Sequence, residues 1–487
     1  MKHKDTHGQG AVAGIAGRTG WLLALVPAAM LLGLMARRVW DVDIFWQLKL
    51  GEMILAQKAP VSTEPFSALH QGEPLPSVAW LGQALMAGVR LLGGWGALRV
   101  FDAVCWLGGF WAVAAACRKR GSPMAAVALA LVLAMFAALP TASIRPQSFA
   151  ALCFGLLLAL QRLGLRQGLM LAIGVPLMLL WQNLHPSVTV GAMAMGLSAM
   201  PGWLAWLRRT SRTLPWAQTL LALFGLAALF LTPDGAAILA VSAANAEMSI
   251  AIGASEWLPL WIRDNWTNAV PVLVVFVLTV RMALRGKPRE GARFDAGEVL
   301  VALALFALTL TAYRFVLFWA VAMVPVIARA IAAPAAAPTA SAAPRWLAPA
   351  AVAAVAIASP FVLPTRFADT IPLEAVARLR QEPVKGTVYA DFPFGGAIVD
   401  AGWPDWRVAY DGRYYRYDRQ EWQYNGGIEN GIVPLGDVVR KWRPAAFLLN
   451  VRHNAPLAQA LARSPKWKRI YAKNGIVIYL PRTATGN

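Results

Sequence analysis

Charge is scarce in this chain. Only 14% of its 487 residues are Asp, Glu, Lys or Arg, against about 25% in ordinary soluble proteins. Acidic residues are scarcest, 25 against 45 basic ones, while 58% of the chain is hydrophobic. That balance excludes a soluble protein. It also excludes a nucleic-acid-binding role, because much of the net charge of +20 sits in loops between apolar runs, where it orients a membrane protein and meets anionic lipid heads. Cysteine is limited to Cys105, Cys117 and Cys153, all in or at the ends of apolar runs, so neither a disulfide framework nor a cysteine metal site is present. The apolar runs do not alternate with polar residues, which excludes a closed barrel. No internal repeat of the transporter kind is found. No small-residue cleavage site stands out after the first apolar run, which is expected to stay as a span.

What remains is a polytopic α-helical membrane protein. About eleven spans are expected, at roughly 20–36, 95–117, 122–139, 147–161, 168–182, 188–206, 216–232, 268–284, 297–312, 315–331 and 347–364. Alternate loops carry Arg118-Lys119-Arg120, Arg162 and Arg166, Arg208, Arg209 and Arg212, then Arg281, Arg285, Lys287, Arg289 and Arg293. These join the basic N-terminus on one side, which the positive-inside rule makes cytoplasmic. Arg37 and Arg38 are the exception, drawn outward by carboxylates or by a lipid phosphate. The Ala/Pro-rich stretch 332–346 reads as a low-complexity linker. Residues 1–366 form the transmembrane domain, with a first outer loop at 37–94, and residues 367–487 a small extracytoplasmic α/β domain. Strands are expected there at 387–391, 445–450, 468–472 and 476–480, helices at 373–380 and 456–463, and a hairpin turn at Lys473-Asn474-Gly475.

The first outer loop opens on Trp40-Asp41-Val42-Asp43-Ile44-Phe45-Trp46. Carboxylates at a bilayer surface need a partner or a job. Asp43 can cap the helix that follows, leaving Asp41 solvated. That helix, about 44–57, has apolar residues near helical spacing and is expected to lie at the interface. The topology gathers other polar outliers on the same outer side: Arg145, His185, Glu256 with Trp257, and Arg314 in a tight turn. An enzyme facing outward has no nucleotide sugar, so an activated donor arrives on a lipid, usually through phosphate. Arginines at the surface hold such a phosphate by bidentate, charge-assisted bonds. A nearby carboxylate can take the proton of an acceptor hydroxyl. A second can orient the acceptor or help hold a divalent cation, Mg or Mn, so that Asp41 and Asp43 are the candidate metal ligands. In the C-terminal domain, Asp391, Asp411, Arg413, Tyr414, Tyr415, Tyr417, Trp422 and Tyr424 interleave aromatics with charge, as sugar stacking needs. Asp411 and Arg413 can equally pair with each other inside the core.

The pattern Asp41-x-Asp43-x-x-Trp46-x-Leu48-x-x-Gly51-x-x-Ile54, then Pro60, Pro65-Phe66-Ser67 and Trp80-Leu81, resembles a set of bacterial membrane proteins of the GT-C glycosyltransferase type. Arg145-Pro146-Gln147, Asn183-Leu184-His185, Glu256-Trp257 and Asp411-Gly412-Arg413 extend the likeness over most of the chain. The chain departs from that set at Gln47, Ala79, Pro186 and Thr232-Pro233, and the first two remove possible metal ligands. The resemblance implies a polyprenyl-phosphate-linked sugar donor, an extracytoplasmic acceptor and inversion at the anomeric carbon. It makes Asp41 the general base, with Asp43 second. Arg145, Arg314 and His185 would hold the donor phosphate. Glu256, Trp257, Asp411, Arg413 and Tyr414 would hold the acceptor. The protein would reside in the bacterial inner membrane with its N-terminus cytoplasmic and its C-terminal domain periplasmic. Two alternatives stand beside this reading. One is another lipid-carrier-dependent transferase or ligase with His185 as base. The other is a non-catalytic transport or assembly subunit for cell-envelope polysaccharide.

Overall fold

The computed structural model describes residues 20–285, 294–331 and 343–482. The basic N-terminal tail, Lys287, Arg289, Arg293 and most of the 332–346 stretch lie outside the described residues. The chain divides into two compact units. The first comprises Met1–Arg37, Leu92–Thr232 and Ser255–Thr365; the second comprises Arg38–Leu91, Pro233–Ala254 and Arg366–Asn487. The first outer loop therefore belongs with the C-terminal residues, and so does a segment from the middle of the chain.

The first unit is a bundle of apolar helices. In lipid every backbone polar group must be satisfied within the segment, and a helix does this. Among the described residues, six helices are long and apolar enough to cross a membrane: Trp80–Lys119, Met124–Thr141, Gln167–Leu184, Val188–Leu207, Arg263–Arg285 and Tyr313–Ala330. Six shorter apolar helices, among them Gln147–Leu163 and Leu347–Val362, accompany them. The helix Trp80–Lys119 is not continuous. Gly93 and Gly94 break it (Gly94 φ 63°, ψ −161°), at the point where the chain passes from the second unit into the first. A side chain at Gly94 would be strained there.

Val316–Ala330 is the hub of this bundle, buried along nearly its whole length. Phe318 meets Phe154 edge-on at 5.3 Å and Trp181 at 6.4 Å. Close helix approach comes from small residues, as expected where packing replaces the hydrophobic effect. Gly109 and Gly155 face each other so tightly that a Cβ on either would collide with backbone. Arg37 is held by the bundle itself and not by the acidic pair: its guanidinium donates to the carbonyls of Leu139 (2.7 Å) and Ala142 (3.1 Å). Arg38 pairs with Asp369 in the second unit. Arg99 donates to the Met35 carbonyl and to Leu363 O at 3.1 Å, closing two helix C-termini, where a cation complements the dipole.

The second unit is built on a five-stranded sheet, order β2-β1-β3-β5-β4. The strands are β1 (Gly386–Ala390), β2 (Trp406–Val408), β3 (Ala446–Asn450), β4 (Trp467–Lys473) and β5 (Ile476–Pro481). β1 runs parallel to β2 and β3, and β5 antiparallel to β3 and β4. Four strands fall where the alternation places them, and Asn474 and Gly475 take the positive φ of the expected hairpin turn. β2 is too short to show a pattern. Its edge is covered by the first outer loop: Val408 N donates to Phe66 O, and Ala68 N to Val408 O.

The helix Asp43–Gln57 does not spend its apolar face on an interface. Ile44, Phe45, Trp46, Leu48, Leu50 and Ile54 are buried, and the helix packs on Gly395–Gly402. Contact is close because Gly396 lies against it; a Cβ there would come 2.7 Å from the Val42 carbonyl. Gly396→Val should therefore force these helices apart. We expect a loss of roughly 1–3 kcal/mol, as for overpacking a tight core, read as a lower Tm of the full-length protein, while Gly426→Ala, at an open position inside the helix Arg419–Glu429, should not lower Tm and should raise it slightly, since Ala favours a helix over Gly.

Candidate functional site

Two clusters of polar side chains stand out, one in each unit. In the first unit, Arg145 precedes the helix Gln147–Leu163, which Pro146 helps to start. Its backbone N–H donates to Asp102 Oδ1 at 3.3 Å, and its Nη1 lies 3.5 Å from Glu256 Oε2. Arg314 sits in the short turn Tyr313–Phe315 that leads into the hub helix. Its guanidinium lies flat over the Trp257 ring, 3.7 Å from the centroid. Stacking uses the face of a guanidinium and suits its N–H edge to an oxyanion. The Ser255–Trp257 turn thus offers a carboxylate to one arginine and an aromatic face to the other. Asn265 Nδ2 pins that turn through the carbonyls of Ser255, Leu258 and Pro259 at 2.8–3.2 Å.

His185 follows the helix Gln167–Leu184. Its Nδ1 is 2.8 Å from Ser187 Oγ, which accepts the Trp181 indole N–H at 2.9 Å. Burial pushes its imidazole down to about 3, and the positive charges of Arg314 and Arg145 add to this. The imidazole is therefore neutral at working pH. Arg145, Arg314 and His185, expected on separate loops, come together. Glu256 and Trp257, expected on the acceptor, stand beside these two arginines instead.

In the second unit, Asp41 is 2% exposed, not solvated. Its Oδ1 accepts the Asp43 N–H at 2.9 Å. Asp43 is the first residue of its helix, with Val42 in the cap position, so Asp43 is no cap; Asp41 supplies the oxygen for that amide. Asp43 Oδ1 accepts the Trp46 indole N–H at 3.2 Å. Gly412 lies against the Asp43 carboxylate, where any Cβ would collide with Oδ1. The neighbouring residues Asp411 and Arg413 have side chains with 0% exposure. Arg413 binds Asp411 (Nη2–Oδ2 2.6 Å) and Glu64 (Nη1–Oε2 2.6 Å, Nη2–Oε1 2.9 Å). Burial by itself would raise the Glu64 carboxyl, but the charge and bonds of Arg413 and the amides of Ser67 and Phe66 outweigh it and hold it below its ordinary value. Asp411 and Arg413 are thus turned inward on each other and on Glu64. Tyr414 is half-buried, its ring 6.1 Å from Phe392 and 5.9 Å from Trp422.

One residue here, Glu64, carries no mark of its own in the sequence; it directly precedes the Pro65-Phe66-Ser67 motif, which is the available signal. Asp391, already in the aromatic and charged cluster, follows β1 and accepts from the Asn450 N–H at the end of β3 and from the Asn454 side-chain amide; burial raises its carboxyl to about 6. Asp41 Oδ1 and Asp43 Oδ1 each accept an N–H, and among the described residues no three His, Cys, Asp or Glu side chains gather as ligands.

No protein-family model and no curated protein matches the sequence. Solved structures do match. ArnT from Cupriavidus metallidurans bound to undecaprenyl phosphate is similar over 99% of each chain, with 12% identity and a TM-score of 0.54. Its apo state is similar over 98% of each chain, with 14% identity and a TM-score of 0.53. The chain has the GT-C fold. The Archaeoglobus fulgidus oligosaccharyltransferase, tethered by a disulfide to an acceptor peptide with the NVT sequon, shares that GT-C likeness over 95% of this chain and 74% of its own, with 11% identity and a TM-score of 0.52.

The depressed basicity of His185 has a pH consequence. A group that titrates near 6.5 unfolded and about 3 folded adds stability that is complete above about pH 6.5 and is lost as pH falls toward 3. The Tm of the wild type should decline through that window, and His185→Gln should decline less steeply. Equal slopes would remove His185 from the account of acid stability.

Proposed function

We propose that the chain is a polyprenyl-phosphate-dependent membrane glycosyltransferase, moving a sugar from a lipid-linked donor to an extracytoplasmic glycan, lipid or protein. The observation that carries this reading is the convergence of Arg145, Arg314 and His185. Two guanidiniums brought within electrostatic reach of each other repel, and a phosphate between them relieves that repulsion through charge-assisted bonds. The fold supports the reading, since it is shared with ArnT bound to undecaprenyl phosphate and with an oligosaccharyltransferase carrying an acceptor peptide. The basic loops favour a cytoplasmic N-terminus and a periplasmic C-terminal domain in a bacterial inner membrane.

In this mechanism the donor's phosphate rests on Arg145 and Arg314. If Ser187 donates to His185 Nδ1, Nε2 carries the imidazole proton and adds a neutral donor to the same anion. Asp41 takes the proton of the acceptor hydroxyl, its carboxylate oriented by the Asp43 amide. The acceptor oxygen attacks the anomeric carbon and the bond from that carbon to the phosphate oxygen breaks. The polyprenyl phosphate leaves with the bonding pair, and the arginines offset the charge it gains. One displacement inverts the anomeric centre. Tyr414 offers an aromatic ring for the acceptor. The alternative with His185 as base is disfavoured by its imidazole, which at about 3 is too weakly basic to remove a hydroxyl proton at neutral pH.

Asp41→Asn should lower transfer by about 100-fold or more, the size of a general-base contribution, with Tm unchanged. Arg145→Ala should raise the KM for the lipid donor by about tenfold or more, as for loss of a charged hydrogen bond. Asp41→Asn with wild-type turnover would end the base assignment.

A further inference from the structure

The hub helix Val316–Ala330 and the helix Gln147–Leu163 pack against each other, and each has an arginine at both ends. Arg145 and Arg314 stand at their N-terminal ends. Arg162 and Arg329 lie in their last turns. A helix of 17 residues is about 25 Å long at 1.5 Å per residue, so the second pair lies one helix length from the first. Here Arg162 is buried, its side chain 6% exposed, and its Nη1 alone binds Glu298, at 2.7 and 2.6 Å to the two carboxylate oxygens. Its Nε and Nη2 are buried and, among the described residues, meet no oxygen acceptor; the Cys117 thiol is the group within bonding reach of the guanidinium. Nε and Nη2 form the edge of a guanidinium that grips an oxyanion with two parallel bonds. The Nε of Arg329 is likewise buried and unbonded. Both arginines lie within electrostatic reach of Glu298 and Cys117. Arg120 adds a third cation, lying next to Gly164 just beyond the helix end.

Buried donors left unmade cost about 1–3 kcal/mol each, more when charged. Satisfying Arg162 through Glu298 alone would need no second arginine and would favour the bidentate edge over a single nitrogen. We infer that Arg162 and Arg329 form a second anion site, at the end of these helices opposite Arg145 and Arg314, that binds the phosphate of an anionic phospholipid headgroup. Basic pockets between spans take such headgroups elsewhere. The inference rests on the helix ends alone and is independent of the proposed transfer reaction.

The test uses the full-length protein in nanodiscs of phosphatidylcholine, with or without phosphatidylglycerol, and reads Tm and the retained lipid by native mass spectrometry. Removing Arg162 outright would strand Glu298, so the informative variants are Arg162→Lys, which keeps the charge but loses the two-nitrogen edge, and Arg329→Gln. Phosphatidylglycerol should raise the wild-type Tm and be retained over phosphatidylcholine, and each variant should lose about tenfold of that preference, the equivalent of one charged hydrogen bond. An equal rise with inorganic phosphate alone would support the anion site but make a free phosphate its ligand. Equal lipid preference in wild type and both variants would overturn the site, leaving only general surface attraction.

Discussion

An arginine with no exposed side-chain surface must be paired, and Arg413 is paired twice. Glu64 and Asp411 hold it from two directions through five side-chain hydrogen bonds. Taking three charges out of water is expensive, and breaking such a set by removing one partner costs about 3–5 kcal/mol. What the pairing achieves is position. Glu64 belongs to the first outer loop and Arg413 to a turn 349 residues later in the chain. Closing that turn onto the loop sets Gly412 against Asp43, leaves no room there for a side chain, and keeps the Trp46 indole on the same carboxylate. The acidic pair is thus held by groups far from it in sequence.

The helical unit solves a different problem, which is holding cations near lipid. Arginine at a helix end ordinarily reaches outward to water. Arg145 and Arg314 are instead held close to each other, one beside Glu256 and the other over Trp257. The hub helix supplies the rigidity this needs. Its aromatic contacts with Phe154 and Trp181 lock the helices that carry Arg145 and His185, so each of the three polar groups hangs from the same packed core. The proposed donor phosphate would meet donors already held in place.

Much of this was legible in the sequence, for reasons that differ by element. The apolar runs announce the helices because lipid leaves the backbone no other choice. The parity of basic loops places Arg145, His185 and Arg314 on one side, and they do converge. Alternation gave β1, β3, β4 and β5, and composition located the C-terminal domain. The helix Ala237–Ala251 escaped because it lies in a stretch that reads as loop. Gly395–Gly402 escaped because two glycines open it, and those glycines serve close packing. Asp43 reads as a cap by local preference, yet Asp41 supplies the oxygen, since burial of the turn outweighs that preference. The partnership of Glu64 with Arg413 could not be read, because nothing local to either residue points to a partner so distant.

The central claim is that a lipid phosphate rests between Arg145 and Arg314. The most direct measurement is a density map of the full-length protein in nanodiscs carrying undecaprenyl phosphate. The account predicts a phosphate touching both guanidiniums, with the polyprenyl chain leading away between apolar helices. A map in which that lipid binds elsewhere, and these arginines meet only Glu256 and Trp257 and no phosphate, would contradict it.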